Sequence, residues 1–307
     1  NGSESILDIG QGKTLNISRL QIYTGNFSNK GNLLVRNNIT ITTEGKMFDN
    51  GTLNLTNSIN LNGTYVVQNN NLVAPTINIF NEGELTVEIS DSSVREYALN
   101  ISSVNITIVD GGVINASETG FRGGLAGGQG TGGGGDGAGL GAGGGGGYGG
   151  AGGDSSVGAT GGSTYGSTLY PIDLGSASGA SHTDQRGGDG GGAIFINVSN
   201  ILLVNGSIES IGGNVPSSGY GISGAAGGSV YIYTNILGGV GILNASGIDG
   251  TTADGTGGAG GGGRLAVYYK DNRTFTGGFG ATGGAGAGAA QGGLGSSFQH
   301  NLPTINS

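Results

Sequence analysis

Gly192-Ala193-Ile194-Phe195-Ile196, Gly228-Ser229-Val230-Tyr231-Ile232 and Gly263-Arg264-Leu265-Ala266-Val267 are three copies of one short pattern, set at nearly equal intervals along the chain. Each opens on glycine and then sets aliphatic residues two apart, the spacing of a strand with one buried face. Stacking the copies predicts one inward ladder of Ile194, Val230 and Leu265 and a second of Ile196, Ile232 and Val267. Outside, Phe195 falls over Tyr231, and Asn197 falls beside Tyr233 and Tyr268. A second strand is expected around Ile208, Ile242 and Phe279, followed each time by glycines at Gly212-Gly213, Gly247 to Gly250 and Gly283-Gly284. A repeat of this length, each copy with its own core layer, predicts a β-solenoid.

The same alternation extends toward the N-terminus. Asn38-Ile39-Thr40-Ile41-Thr42, Leu53-Asn54-Leu55-Thr56, Ile59-Asn60-Leu61-Asn62, Thr76-Ile77-Asn78-Ile79 and Val104-Asn105-Ile106-Thr107-Ile108 each read as a strand with one polar face. Between them recurs a turn of Asn or Asp, a spacer, glycine, a spacer and an aliphatic residue: Asn29 to Leu33, Asp49 to Leu53, Asn81 to Leu85 and, with Gly111-Gly112, Asp110 to Ile114. The intervals between these turns are unequal, but all fall in the range of one solenoid coil. Asn and Gly tolerate the left-handed backbone of a tight corner, which is the role expected of them here.

Between these halves lies Phe121 to Gly162, more than half of it glycine. Glycine loses the most conformational freedom on ordering, so such a segment folds only if it is held from outside. Two structures are open to it: polyproline-II-like strands packed more closely than any side chain permits, or a flexible loop draped over the solenoid. The chain thus divides into an N-terminal strand-rich part (1–120), a Gly-rich insertion (121–190) and C-terminal solenoid repeats (191–307), expected to form one continuous elongated domain. The expected class is all-β, a parallel β-helix or β-solenoid.

Composition narrows the function. Glycine supplies 74 of 307 residues, but consecutive glycines exclude the strict triplet of collagen. The formal charge of −9 argues against nucleic acid, which requires Lys and Arg to neutralise phosphate. No cysteine is present to form a disulfide or ligate a metal, and no apolar run approaches the length of a membrane span. The start at Asn1-Gly2-Ser3, with no charged and apolar leader, is expected of a chain whose export signal has been removed.

Asp110-Gly111-Gly112-Val113-Ile114-Asn115-Ala116-Ser117, the tract Gly145 to Gly153 around Tyr148, Tyr165-Gly166-Ser167 with Pro171 to Ser176, Gly187 to Ile194 and Gly260 to Tyr269 together carry a resemblance. Over roughly residues 104 to 290 the chain resembles a widespread family of Gly-rich repetitive surface proteins predicted to be parallel β-helices. The Asn-x-Gly-x-Leu turns are similar to those of haemagglutinin-type adhesin β-helices. The resemblance implies a fold and a surface location; it implies no activity.

Fourteen Asn-x-Ser/Thr sequons occur, where 29 asparagines and 54 serines and threonines give about five by chance. Beyond Asn1 they lie at Asn16, Asn26, Asn38, Asn50, Asn54, Asn62, Asn100, Asn105, Asn115, Asn197, Asn205, Asn244 and Asn272. They predict N-glycans, although a strand with a polar outer face produces the same Asn-Ile-Thr pattern. Candidates for catalysis are few: Ser181, His182 and Asp184 are too close in sequence for triad geometry, and Glu84 with Glu88 or Asp184 with Asp189 are more simply solvated turn acids. The calcium nonapeptide pattern fails at Asp136, Asp189 and Asp254, and no Gly-Lys-Ser/Thr follows the glycine runs. No catalytic residue, metal or cofactor is expected.

The function expected is therefore that of a non-catalytic, secreted, glycosylated subunit of a surface fibre, sheath or coat. Its partners are further copies of itself, joined by strand addition at Glu4 to Ile9 and Asn301 to Ser307 or laterally through Tyr231, Tyr233, Tyr268 and Tyr269. An adhesin or carbohydrate-binding β-helix is the first alternative, a polysaccharide lyase or hydrolase the second.

Overall fold

The computed structural model describes residues 6–69, 71–88, 98–124, 127–137, 141–180, 186–213, 221–253, 255–286 and 288–303, which contain strands and no helix. Sixteen strands form one sheet, and Thr14–Ile17, Asn32–Val35 and Thr52–Leu55 form a second. Neighbours in both sheets run parallel. The register shows why: the chain winds as a three-sided parallel β-helix, and strands of these two sheets pair with their counterparts in adjacent turns, while Thr252–Ala253 and Gly255–Thr256 form a separate antiparallel pair.

One side is built from 99–103, 193–198, 229–234, 264–269 and Ser296–Asn301. The next carries 39–41, Ser58–Leu61, 76–79, 105–108 and 201–204. The third carries 46–49, Thr64–Val67, Glu84–Val87, Val113–Asn115, Ser207–Glu209, Ile242–Asn244 and Gly278–Gly280. The long strands Leu99–Ile108, Ala193–Val204 and Ser229–Gly239 cover the first two sides and shift register where they cross the corner, as a bulge does when it re-aims a strand.

The interior is a set of one-residue-wide ladders. Phe27, Met47, Tyr65, Leu85, Ile114, Ile208 and Leu243 lie in adjacent registers and are all buried. Burying each such side chain contributes about 1.5–3 kcal/mol. The two ladders expected from the glycine-led repeats are present, and both extend one turn further back, to Leu99 and Ile101.

Four details differ from expectation. The inward residue opposite Ile208 is Leu243, while Ile242 pairs with Ser207 and is half exposed. Val104 sits at the bulge, 46% exposed. Tyr269 pairs with Thr234 on the inward side and joins the core instead of the outer ladder. The interval from Asp49 to Asn81 mixes two kinds of corner: Gly31 and Gly51 follow the third side, whereas Gly83 and Gly112 precede it. Turns near the N-terminus are shorter than later ones, as the pairings Phe27 with Met47 and Tyr65 with Leu85 record against Val230 with Leu265.

The turn residues also act differently. Asn29 and Asp49 are buried and point inward, with Asn29 Nδ2 donating to Asp49 Oδ1 at 2.8 Å and Tyr65 Oη donating to Asp49 Oδ2 at 2.6 Å. Gly51 has no positive φ; a side chain there would strike the carbonyl oxygen of Gly31 one turn below. The corner needs glycine for close stacking, and the left-handed backbone appears instead at Glu82 and Gly111.

From Val113–Asn115 onward, the passage from the third side back to the first is lengthened into glycine-rich excursions: 116–192, 210–228, 245–263 and 281–295. Their described residues pack on one another as a hydrogen-bonded bundle. Gly144, Gly145, Gly146 and Gly147 donate to the carbonyls of Gly135, Gly153, Gly224 and Gly132, so the fourth donor returns to the segment that took the first. The carbonyls of Gly143 and Gly146 accept from Gly258 and Gly261, again three positions apart. A β-strand alternates between two neighbours; a period of three belongs to the polyproline-II helix, here with its backbone groups paired instead of solvated. A methyl group on Gly145 would strike the Ala259 carbonyl, and one on Gly258 the Gly153 carbonyl. The packed alternative holds for the described residues of the tract, and the draped loop does not.

Candidate functional site

The outward positions of the solenoid carry the candidate residues. Of the sequon asparagines, Asn16, Asn50, Asn54 and Asn197 are exposed, and Asn26, Asn38, Asn62, Asn100, Asn105, Asn115, Asn205 and Asn244 are half-buried. Where a sequon lies on a strand, as at Asn197, its asparagine and its hydroxyl residue are both exposed because side chains alternate. Several asparagines are engaged: Asn115 Nδ2 donates to Glu84 Oε1 at 3.0 Å, Asn205 Oδ1 accepts from the Val240 amide at 3.3 Å, and Asn244 Oδ1 accepts from the Ser246 amide at 3.1 Å. The Oδ1 of Asn38 is buried without a partner. Asn1 and the side chain of Asn272 lie outside the described residues.

The second feature is aromatic. The register row Asn197, Tyr233, Tyr268, His300 runs beside the row Phe195, Tyr231, Ala266, Phe298 on the outer surface of one side. Phe195 and Tyr231 have ring centroids 5.0 Å apart, Tyr231 and Tyr268 5.7 Å, and Tyr268 and Phe298 5.7 Å. A loop of the glycine excursion folds over this surface. Tyr170 stacks on Tyr268 at 6.4 Å and meets Tyr231 edge-on, while Tyr268 Oη donates to the Leu169 carbonyl at 2.9 Å. Leu169, Tyr170, Ile172 and Tyr233 leave much of their surface to solvent.

Beneath it the bundle is clasped to the solenoid. Tyr148, the one aromatic residue in the densest glycine run, is fully buried, with its ring 4.8 Å from Tyr165 and the Arg264 guanidinium 5.4 Å from its centroid. Its hydroxyl lies 2.6 Å from Ser229 Oγ, which donates to the Asp173 carbonyl. Arg264 Nε and Nη2 donate to the Tyr165 carbonyl at 3.0 and 2.7 Å. Burial pushes the Tyr148 phenol up to about 12 and also raises Tyr165, so both phenols stay neutral near pH 7.

The acids are mostly acceptors for backbone. Asp189 accepts the Gly123 amide at 2.7 Å and pairs with Arg186 at 2.9 Å, Asp154 accepts the Gly161 amide at 2.7 Å, and Asp249 accepts the Ala285 amide at 2.6 Å; Asp136 accepts from Gly127 and Ala180. Burial, then the nearby Asp189 charge, raises the Glu118 carboxyl, which Arg186 partly offsets. Glu84 opens the strand Glu84–Val87 and Glu88 follows it, so their Cα atoms stand about 13 Å apart at the strand rise. Glu84 is held by Asn115 and Glu88 by Gln68 Nε2 at 2.7 Å. Ser181, His182, Asp184 and Asp254 lie outside the described residues; His300 stacks on Phe298 at 5.9 Å. Among the described residues, no three His, Cys, Asp or Glu side chains gather as a metal site would require.

Sequence reasoning reaches neither the clasp nor the Tyr170 loop. A lone aromatic inside polyglycine, at Tyr148, is the signal that could locate the clasp; nothing in the sequence pairs Tyr170 with Tyr268.

Comparison with known proteins finds no matching family model, no matching curated protein and no matching solved structure.

Proposed function

We propose that this chain is a non-catalytic, extracellular structural protein: a glycosylated subunit of a surface fibre, sheath or coat that assembles with copies of itself. The observation that carries this reading is the regular stack of parallel strands with sequon asparagines set along its outward positions. Among the described residues, Ser296–Asn301 pairs on one side only, with Arg264–Phe275. The Ser296 amide donates back to Gly263 and the Leu302 amide back to Tyr269, so the alternate amides of Ser297, Gln299 and Asn301 face the open edge. At the other end Ile6–Ile9 pairs with Leu20–Asn29, while Glu4, Ser5 and the tail from 304 to 307 lie outside the described residues. A parallel edge that stays unpaired is a template for another strand, and head-to-tail addition of identical subunits there would make an open filament. The outward sequons support the glycosylated, exported part of the reading.

Electron microscopy of material isolated from its source, with mass spectrometry of its glycopeptides, tests this. Regular filaments or sheets with sugar on the sequon asparagines are expected; dispersed, unglycosylated rods would count against it. Gln299→Pro sharpens the test, because proline removes an edge-facing donor while leaving the pairing to Arg264–Phe275 intact. The variant is expected to fold and to lose assembly. A second reading, a carbohydrate-binding module or adhesin, is favoured by the outer aromatic rows, and retention of the isolated protein on immobilised polysaccharides would support it.

A further inference from the structure

We infer that the glycan on Asn197 lies along the outer aromatic row and covers Tyr233, so that the sugar is an ordered part of the solenoid surface instead of a free tether. The inference rests on the glycosylated reading above. Asn197 is exposed and belongs to the same register row as Tyr233, Tyr268 and His300. Neighbouring rungs of a parallel sheet are about 4.8 Å apart, so Tyr233 is the side chain immediately beside the attachment point. It is 38% exposed.

A pyranose ring has one face of C–H groups, which packs on the electron-rich face of a phenol, while its hydroxyls take up hydrogen bonds at the edges. Asn197, Tyr233 and Tyr268 carry no formal charge, which suits a neutral sugar better than an ionic ligand. At the far end Tyr268 is closed over by Tyr170 and bonded to the Leu169 carbonyl, which bounds the platform. Because the sugar is tethered, its local concentration over Tyr233 is high, and weak stacking is enough to seat it. Among the other sequon asparagines, Asn54 is paired in register with Leu34 and Asn115 with Thr86 and Glu209, whereas the half-buried Asn100 lies beside Phe195.

The test is tyrosine iodination read by peptide mass spectrometry, applied to glycosylated full-length protein and to Ser199→Ala, which removes the sequon and keeps Asn197. Occupancy of each asparagine is measured on the same samples. The inference expects Tyr233 to react several-fold more slowly when Asn197 is occupied, with Tyr23, 63% exposed, unchanged as a control. Equal reactivity of Tyr233 in both proteins, with Asn197 occupied, overturns the inference and leaves the glycosylated reading standing. An empty Asn197 beside occupied sequons elsewhere does the same. Empty sequons throughout overturn both. Protection that persists in Ser199→Ala and grows with protein concentration assigns the surface to a second copy and also overturns it.

Discussion

The N-terminal turns and the glycine bundle bury their backbones by opposite means. In the turns around Met47, Tyr65 and Leu85, neighbouring strands stand at sheet spacing and side chains fill the space between three sides. In the bundle around Gly144 to Gly147, chains approach until carbonyl oxygens occupy the positions side chains would take, and hydrogen bonds run to three neighbours. The first region fails when atoms are removed, the second when they are added. One chain therefore contains two kinds of core, and its glycine content is a packing requirement as much as a conformational one.

The largest effect should come from adding volume to the bundle. Gly145→Val is expected to cost roughly 4 kcal/mol or to undock the bundle, because the obstacle is the Ala259 backbone and no side chain can yield. Gly10→Ala is the contrast: its methyl would lie 3.9 Å from Lys13 Cγ, and the change should stay within about 0.5 kcal/mol. Chemical denaturation of both variants checks the pair, and equal costs would break the comparison.

Removing volume from the solenoid comes next. Ile106→Ala deletes a fully buried ladder residue between Ile77 and Leu202 and should cost about 2–4 kcal/mol, without altering hydrogen exchange in the bundle. Tyr148→Phe sits at the joint between the two cores. It removes the hydroxyl paired with Ser229 and keeps the ring beneath Arg264, so a loss of about 1–2 kcal/mol is expected. That loss should fall on the exchange of bundle amides before those of the solenoid.

The smallest effect is a pH dependence inside the N-terminal core. Burial raises the Asp49 carboxyl above its usual value, against the opposing hydrogen bonds from Tyr65, Asn29 and Gly51. The folded state then holds its proton more tightly than the unfolded chain. Stability from this group should be full below the unfolded carboxylate value, decline as pH rises through the interval up to the raised folded value, and be constant above it. Asp49→Asn should flatten that slope in denaturation curves taken across the acidic range, while keeping acceptors for Asn29 and Gly51.

Much of the solenoid is legible in the sequence because a period of two, repeated at nearly constant intervals, leaves few alternatives. Ile194, Val230 and Leu265 identify their own register once their leading glycines are aligned. The three-sided cross-section is harder to see. Three-residue strands such as Ser207–Glu209 have one inward residue, too few for a period, and Ile242 and Leu243 are equally apolar, so the inward member cannot be chosen locally. Pattern locates the turns at Asn29 and Asp49 but misassigns their role, because stacking is a relation between one whole coil and the next that no single corner displays. The bundle is legible as a choice between two structures; its threefold hydrogen bonding depends on segments as distant as Gly146 and Gly224. The aromatic rows follow from the repeat, whereas the loop that closes over them comes from an excursion outside any repeat.

Native-state hydrogen exchange resolved to single residues tests the central claim most directly, because the two cores predict the same protection from different sequences. The amides of Gly144 to Gly147 should exchange as slowly as those of Ile194 and Ile196, within the same cooperative unit or one released just before it. Exchange of those glycines near the rate of an unstructured chain, with Ile194 and Ile196 protected, would contradict a packed bundle and leave a solenoid carrying a loose polyglycine loop.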